Sequence, residues 1–158
     1  MAQGKAGTNP SGRAKGSTGK NRSKQQKASA THQPATLYVC RSCVWSEAER
    51  EKDGKRQGEF LLDAIRQNIL TAPLPENAGL RAVHCLNGCK SPCNVAFRAA
   101  GKHGLRFSHL TPDNAAEVLS FFNAYNDSEV GDVPEAEVPV SMRGKQTVRT
   151  PPPPIRSK

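Results

Sequence analysis

All five cysteines of the chain fall in two short stretches, Cys40-Arg41-Ser42-Cys43 and Cys85-Leu86-Asn87-Gly88-Cys89-Lys90-Ser91-Pro92-Cys93. A Cys-x2-Cys loop places two thiolates on one tight turn, where they can grip a single metal ion. Alone it is a weak signal, but a second cluster with Cys-x3-Cys spacing makes four thiolates available. That set suits a tetrahedral zinc ion or a [2Fe–2S] cluster with two ligands per iron. Cys40, Cys43, Cys85 and Cys89 are the first-choice ligands, with Cys93 the alternate because it stands at the start of a candidate strand. In this loop Gly88 permits close backbone approach, Pro92 stiffens the turn and Lys90 offsets thiolate charge. Any one of the cysteines could be an ordinary core residue. Confinement of all five to two loops argues for a shared site.

For the loops to meet, the elements that carry them must end at one place. Thr36-Leu37-Tyr38-Val39 is rich in β-formers and runs into Cys40. A charged stretch, 46–55, with an Asp53-Gly54 turn, reads as an exposed loop. From Gln57 to Leu70 the residues Leu61, Ala64, Ile65 and Ile69 recur at helical spacing, and Pro73 and Pro75 end the helix. No clear N-cap marks its start. A second strand over 79–84 leads into Cys85. The stretch 93–98 and the alternating 105–110, joined by a turn at 101–104, predict an antiparallel hairpin. Thr111-Pro112-Asp113 then supplies an N-cap, a proline at N1 and an acid for an apolar helix reaching Tyr125.

The order is βαβ followed by ββα, an α/β (α+β) arrangement with a four-stranded mixed sheet, the layout of a minimal thioredoxin-like domain. In a right-handed βαβ unit the first two strands run parallel. Cys40 and Cys85 therefore leave the sheet at the same edge. His84 is a possible further ligand, but strand alternation turns it away from its neighbour Cys85. His103 and His109 read as surface residues, and Trp45 and Tyr38 as either shields for the site or ordinary packing.

The chain has 158 residues and a formal charge of +9 that belongs to its ends. The first 35 residues hold seven Lys/Arg and no acid, whereas 36–132 holds eleven Lys/Arg against twelve Asp/Glu. Residues 1–35 read as a disordered basic tail, 36–128 as the metal-binding domain and 129–158 as an extended segment whose Pro151–Pro154 run favours polyproline II. Nucleic acid is then expected to bind only nonspecifically, through the tail. No apolar run approaches the roughly 20 residues of a membrane helix, and the start lacks a secretory h-region. The expected compartment is the cytoplasm, where clustered thiols serve as metal ligands or catalytic groups more often than as disulfides.

The residues from Thr36-Leu37-Tyr38-Val39-Cys40-x-x-Cys43 through Cys85-Leu86-x-x-Cys89-x-x-x-Cys93 to Leu110-x-Pro112 and the proline-rich end resemble a bacterial family of predicted metal-binding proteins, domain of unknown function 1636. That family is similar to the thioredoxin-like [2Fe–2S] ferredoxins. The resemblance implies a thioredoxin-like fold and metal binding, with Cys40, Cys43, Cys85 and Cys89 as cluster ligands. In those ferredoxins the first two ligands lie farther apart than Cys40 and Cys43, which leaves open zinc or an iron–sulfur set that includes Cys93. Expected functions are a ferredoxin-like electron carrier working with a redox or metal-handling protein, a zinc-stabilised module, or a thioredoxin-like thiol oxidoreductase using Cys40-x-x-Cys43. Nothing marks a hydrolase or transferase: there is no nucleotide loop, carboxylate pair or nucleophile triad.

Overall fold

In the computed structural model, which describes residues 34–152, strand β1 (Thr36–Cys40) leads through the charged loop to helix α1 (Gln57–Thr71) and back to strand β2 (Gly79–Val83). Strands β3 (Val95–Arg98) and β4 (Gly104–Phe107) form the expected hairpin, and helix α2 (Ala115–Asp127) follows. The basic stretch 1–33 and the last two prolines of the Pro151–Pro154 run lie outside the described residues.

β1 and β2 are parallel, with Cys40 opposite Val83, so both cysteine clusters emerge at one sheet edge as the βαβ reading requires. The sheet differs from expectation in having five strands, in the order β2-β1-β3-β4-β5. The fifth, β5 (Gln146–Thr150), pairs antiparallel with β4 and lies in the stretch read as an extended proline-rich segment. Its β-branched residues Thr147, Val148 and Thr150 suit a strand, and the free edge of β4 gives its backbone partners. Val138 and Met142, just before it, are buried in the core.

Both helices cover one face of the sheet. Leu37 and Val39 of β1, Val95 and Phe97 of β3, and Leu105 and Phe107 of β4 are buried at every second position, the period of a strand with one face inward. Against them lie Leu61 and Ile65 of α1 and Val118, Phe121, Phe122 and Tyr125 of α2. Phe97 sits at the centre, its ring centroid 4.9 Å from Phe121, 5.8 Å from both Phe107 and Tyr125, and 6.0 Å from Phe122. The opposite face, which carries Tyr38, Arg98 and Arg106, has no helix over it among the described residues.

The far end of α2 is tied down by Lys102, a buried lysine whose ammonium donates to the carbonyls of Tyr125 (3.2 Å) and Asn126 (2.5 Å). A cation on the last carbonyls satisfies acceptors that the helix leaves unpaired and complements its dipole. The Tyr125 hydroxyl donates to the carbonyl of His103 at 2.8 Å, and burial pushes its pKa up to about 12 from the ordinary 10. A group protonated more tightly in the folded than in the unfolded chain stabilises the fold below its unfolded pKa and loses that contribution as pH rises towards the folded one. Between pH 10 and 12 the protein is therefore expected to lose stability more steeply than its Tyr125→Phe variant. Urea midpoints across that range measure the difference, and parallel slopes would contradict it.

Candidate metal centre

The first cysteine loop is bounded by two elements that hold it rigidly. Its backbone N–H groups bond to neighbouring strand ends: Cys40 donates to Asn94 at 3.1 Å and Arg41 to Val83 at 3.0 Å. On the other side the start of α1 closes on it, with Gly58 N–H donating to the Cys43 carbonyl at 3.0 Å. The charged stretch 46–55, read as an exposed loop, is an exposed excursion that returns the chain to the cysteines. A Cβ on Gly58 would fall inside the Cys40 carbonyl oxygen and 2.9 Å from the Arg41 carbonyl carbon, so only glycine allows this approach. Trp45 packs edge-on against Phe60 of α1 at 5.4 Å, with the Lys52 ammonium 4.4 Å from its ring centroid. It braces the loop against the helix.

Within this frame the cysteines divide by depth. Cys40, Cys43 and Cys93 are buried, at 2 %, 2 % and 0 % exposure, whereas Cys85 and Cys89 are exposed. The Cys85 and Cys89 sulfurs are 3.8 Å apart, and the Asn87 N–H points at the Cys85 sulfur from 3.2 Å. Cys40 Sγ lies 3.6 Å from the Ser42 hydroxyl and 3.6 Å from the His84 carbonyl, to which Ser42 also donates. The Cys93 thiol donates to Gln57 Oε1 of α1 at 3.4 Å, while its backbone pairs with Leu110 in both directions.

The thiols influence one another. Hydrogen bonding to Cys43 holds the Cys40 thiol far above its ordinary pKa, and burial adds to this. For Cys43 the hydrogen bond with Cys40 acts downward, but the Cys93 thiol and burial outweigh it and the net direction is up. Cys89 is raised by its neighbour Cys85, with Cys40 acting on it in the same direction. Thiols held protonated in this way must give up protons to bind a metal, so uptake would release them.

Asn94, the residue after Cys93, links the loops. It is fully buried, and its amide nitrogen lies 2.8 Å from the Gly88 carbonyl, 3.2 Å from the Ser91 carbonyl and 3.5 Å from Cys43 Sγ. Its Oδ1 accepts from the Ser108 hydroxyl at 2.7 Å. Gly88 is required because a Cβ there would overlap the Asn94 side chain. The glycine thus admits a buried amide, a concrete form of the close approach expected for it. Neither Asn94 nor Gln57 was marked by cysteine spacing. The available signal was position: polar side chains at the end of a cysteine loop and at the first turn of a helix, α1, whose N-cap is Arg56 with Glu59 accepting from its N–H rather than a Ser, Thr, Asp or Asn.

Arg106 of β4 holds the second loop from outside, its Nη1 donating to the carbonyls of Leu86 (2.8 Å) and Asn87 (3.2 Å). Arg106→Met is expected to cost about 1 kcal/mol, the ordinary net worth of such bonds, and to speed amide hydrogen exchange across residues 85–89. Unchanged exchange there would mean that the loop holds itself. His84 and His109 are exposed, and the His103 ring bonds near the Thr150 carbonyl at 3.3 Å, away from the cysteines.

The donor set fits a thiophilic metal. Two sulfurs at about 2.3 Å from one tetrahedral metal are about 3.8 Å apart, which is the Cys85–Cys89 separation. No three His, Cys, Asp or Glu side chains among the described residues converge on one ion.

The family model described as "Protein of unknown function (DUF1636)" matches residues 37–152, which include both cysteine clusters and β5. The chain belongs to the DUF1636 family. This agrees with the resemblance carried by the cysteine pattern. No curated protein matches the chain. Two solved structures from Aquifex aeolicus are similar, both thioredoxin-like [2Fe–2S] ferredoxins. One has TM-score 0.47 and 15% identity over 78% of this chain and 99% of its own, and the other 0.45 and 14% over 67% and 95%. No helix among the described residues of this DUF1636 protein is long and apolar enough to cross a membrane.

Proposed function

We propose that this DUF1636 protein is a cysteine-ligated metal protein, a ferredoxin-like electron carrier whose ligands are Cys40, Cys43, Cys85 and Cys89. The observation that carries the reading is the delivery of both cysteine clusters to one sheet edge by the parallel β1 and β2, with the Cys85 and Cys89 sulfurs 3.8 Å apart. Four thiols divided between two loops suit a binuclear [2Fe–2S] centre with two ligands per iron. Such a centre supplies one-electron redox chemistry when bound.

The chain's own residues supply the rest. Cys40 and Cys43 form the buried side of the site and Cys85 and Cys89 its solvent side. The Asn87 N–H donates to the Cys85 sulfur, and the Asn94 amide to the Cys43 sulfur. Hydrogen bonds of this kind stabilise thiolate charge and tune the potential of whatever it binds. Cys93, fully buried and bonded to Gln57, is left as a core thiol beside Cys43 rather than a ligand.

Anaerobic purification tests the proposal. Equal iron and sulfide, with absorption at about 330–460 nm where sulfur-to-iron charge transfer falls, is the expected result. Colourless protein holding one zinc would replace the electron carrier with a zinc-stabilised module. Metal-free protein that reduces disulfides through Cys40 would replace both with a thiol oxidoreductase.

A further inference from the structure

The sheet face opposite the helices holds a trough. Two adjoining hollows of about 360 and 490 Å³ share Tyr38, Arg98, Gly104 and Thr150, and so run together across the strands. One end of the trough is walled by Cys85 and Leu86 of the second cysteine loop, and the other reaches Pro34. Arg98 and Arg106 line it and no carboxylate does. Arg106 is committed to the loop carbonyls, but the Arg98 side chain makes no hydrogen bond or ion pair among the described residues. The same is true of exposed Arg81, which stands opposite Tyr38 in the β1–β2 register.

We propose that this open face docks a protein partner through an acidic surface, whose carboxylates pair with Arg81 and Arg98 on either side of Tyr38. Charge complementarity selects this occupant. The chain's own remaining segments are basic in composition, with seven Lys/Arg and no acid in residues 1–33 and only Arg156 and Lys158 charged among 153–158, so they offer no Asp or Glu to pair with these arginines. A second copy would set arginine against arginine in a two-fold contact. Single-stranded nucleic acid is read by successive stacked aromatics, and Tyr38 is the trough's lone aromatic ring. Exposed charges around a shallow groove speed encounter and orient it without binding tightly, which suits a short-lived partner. Resting on the metal-centre reading, the partner would be seated against the solvent-side ligand Cys85, so that exchange runs through that side of the centre.

The test uses the full chain, isotopically labelled, with decaglutamate as the probe. Amide shifts at Tyr38, Ala96, Arg98 and Val148 are expected, and binding should weaken with salt. Arg81→Glu with Arg98→Glu should lower affinity about tenfold, each reversal turning an exposed attraction into repulsion. Metal content should be unchanged. Where charge reversal unfolds the protein, Arg81→Gln with Arg98→Gln should still weaken binding. Shifts confined to residues 1–33, undiminished affinity in the folded variants, or tighter binding of oligothymidylate on the same face would each overturn the proposal. Loss of the metal reading with decaglutamate binding intact would leave the docking face standing.

Discussion

Asn94→Ala is expected to lower the stability of the protein by about 3 kcal/mol, the combined worth of several hydrogen bonds at about 1 kcal/mol each. The truncation removes every partner the side chain serves. The carbonyls of Gly88 and Ser91, the Cys43 sulfur and the Ser108 hydroxyl each lose a bond in a place water reaches poorly. Gly88 also loses the group that fills the space beside its Cα. Ser108→Ala should cost less, because it removes one bond to Asn94 and one to Thr147 and leaves the cysteine loops joined. Urea midpoints of the three proteins give the order. A loss under about 1 kcal/mol for Asn94→Ala, the worth of one ordinary hydrogen bond, would mean that the two loops do not depend on this amide.

Gly58→Ala should also destabilise, which is the opposite of the usual result in a helix. Alanine ordinarily gains up to about 1 kcal/mol over glycine there. At Gly58 the added methyl meets the backbone of Cys40 and Arg41, and backbone cannot turn aside as a long side chain can. Separating α1 from the loop would break the Gly58–Cys43 hydrogen bond and part Gln57 from Cys93. The expected net loss is about 2–3 kcal/mol, within the range for overpacked sites, and metal retention should fall with it. An unchanged or raised melting temperature would show that the helix can stand off from the cysteines at no cost.

These two residues also mark where the sequence could be read and where it could not. Strands and helices appeared because their apolar residues follow clean periods: Leu37 and Val39 alternate in β1, and Val118, Phe121, Phe122 and Tyr125 follow the helical repeat in α2. The parallel β1–β2 pair followed from the βαβ order, and it brings the two cysteine clusters to one edge. Strand β5 was harder to see, since exposed Gln146, Thr147, Arg149 and Thr150 show no buried alternation and prolines follow. An edge strand is specified by the backbone it joins more than by its own pattern. Asn94 and Gln57 escaped for a related reason. A buried polar side chain has meaning only through partners distant in sequence, and spacing within a loop does not reveal them. The approach of α1 to Cys43 was hidden in the same way, because the exposed excursion 46–55 costs little and brings the chain back to the loop.

The central claim is that two cysteine pairs hold one centre, and X-ray absorption fine structure at the metal edge of the purified protein tests it most directly. Four cysteine sulfurs at about 2.3 Å are expected, with an iron–iron distance if the centre is binuclear. Replacing Cys85 and Cys89 with serine should lower the sulfur count, while Cys93→Ser should leave it unchanged. A metal with two or fewer cysteine sulfurs, or a spectrum indifferent to Cys85 and Cys89, would contradict the account.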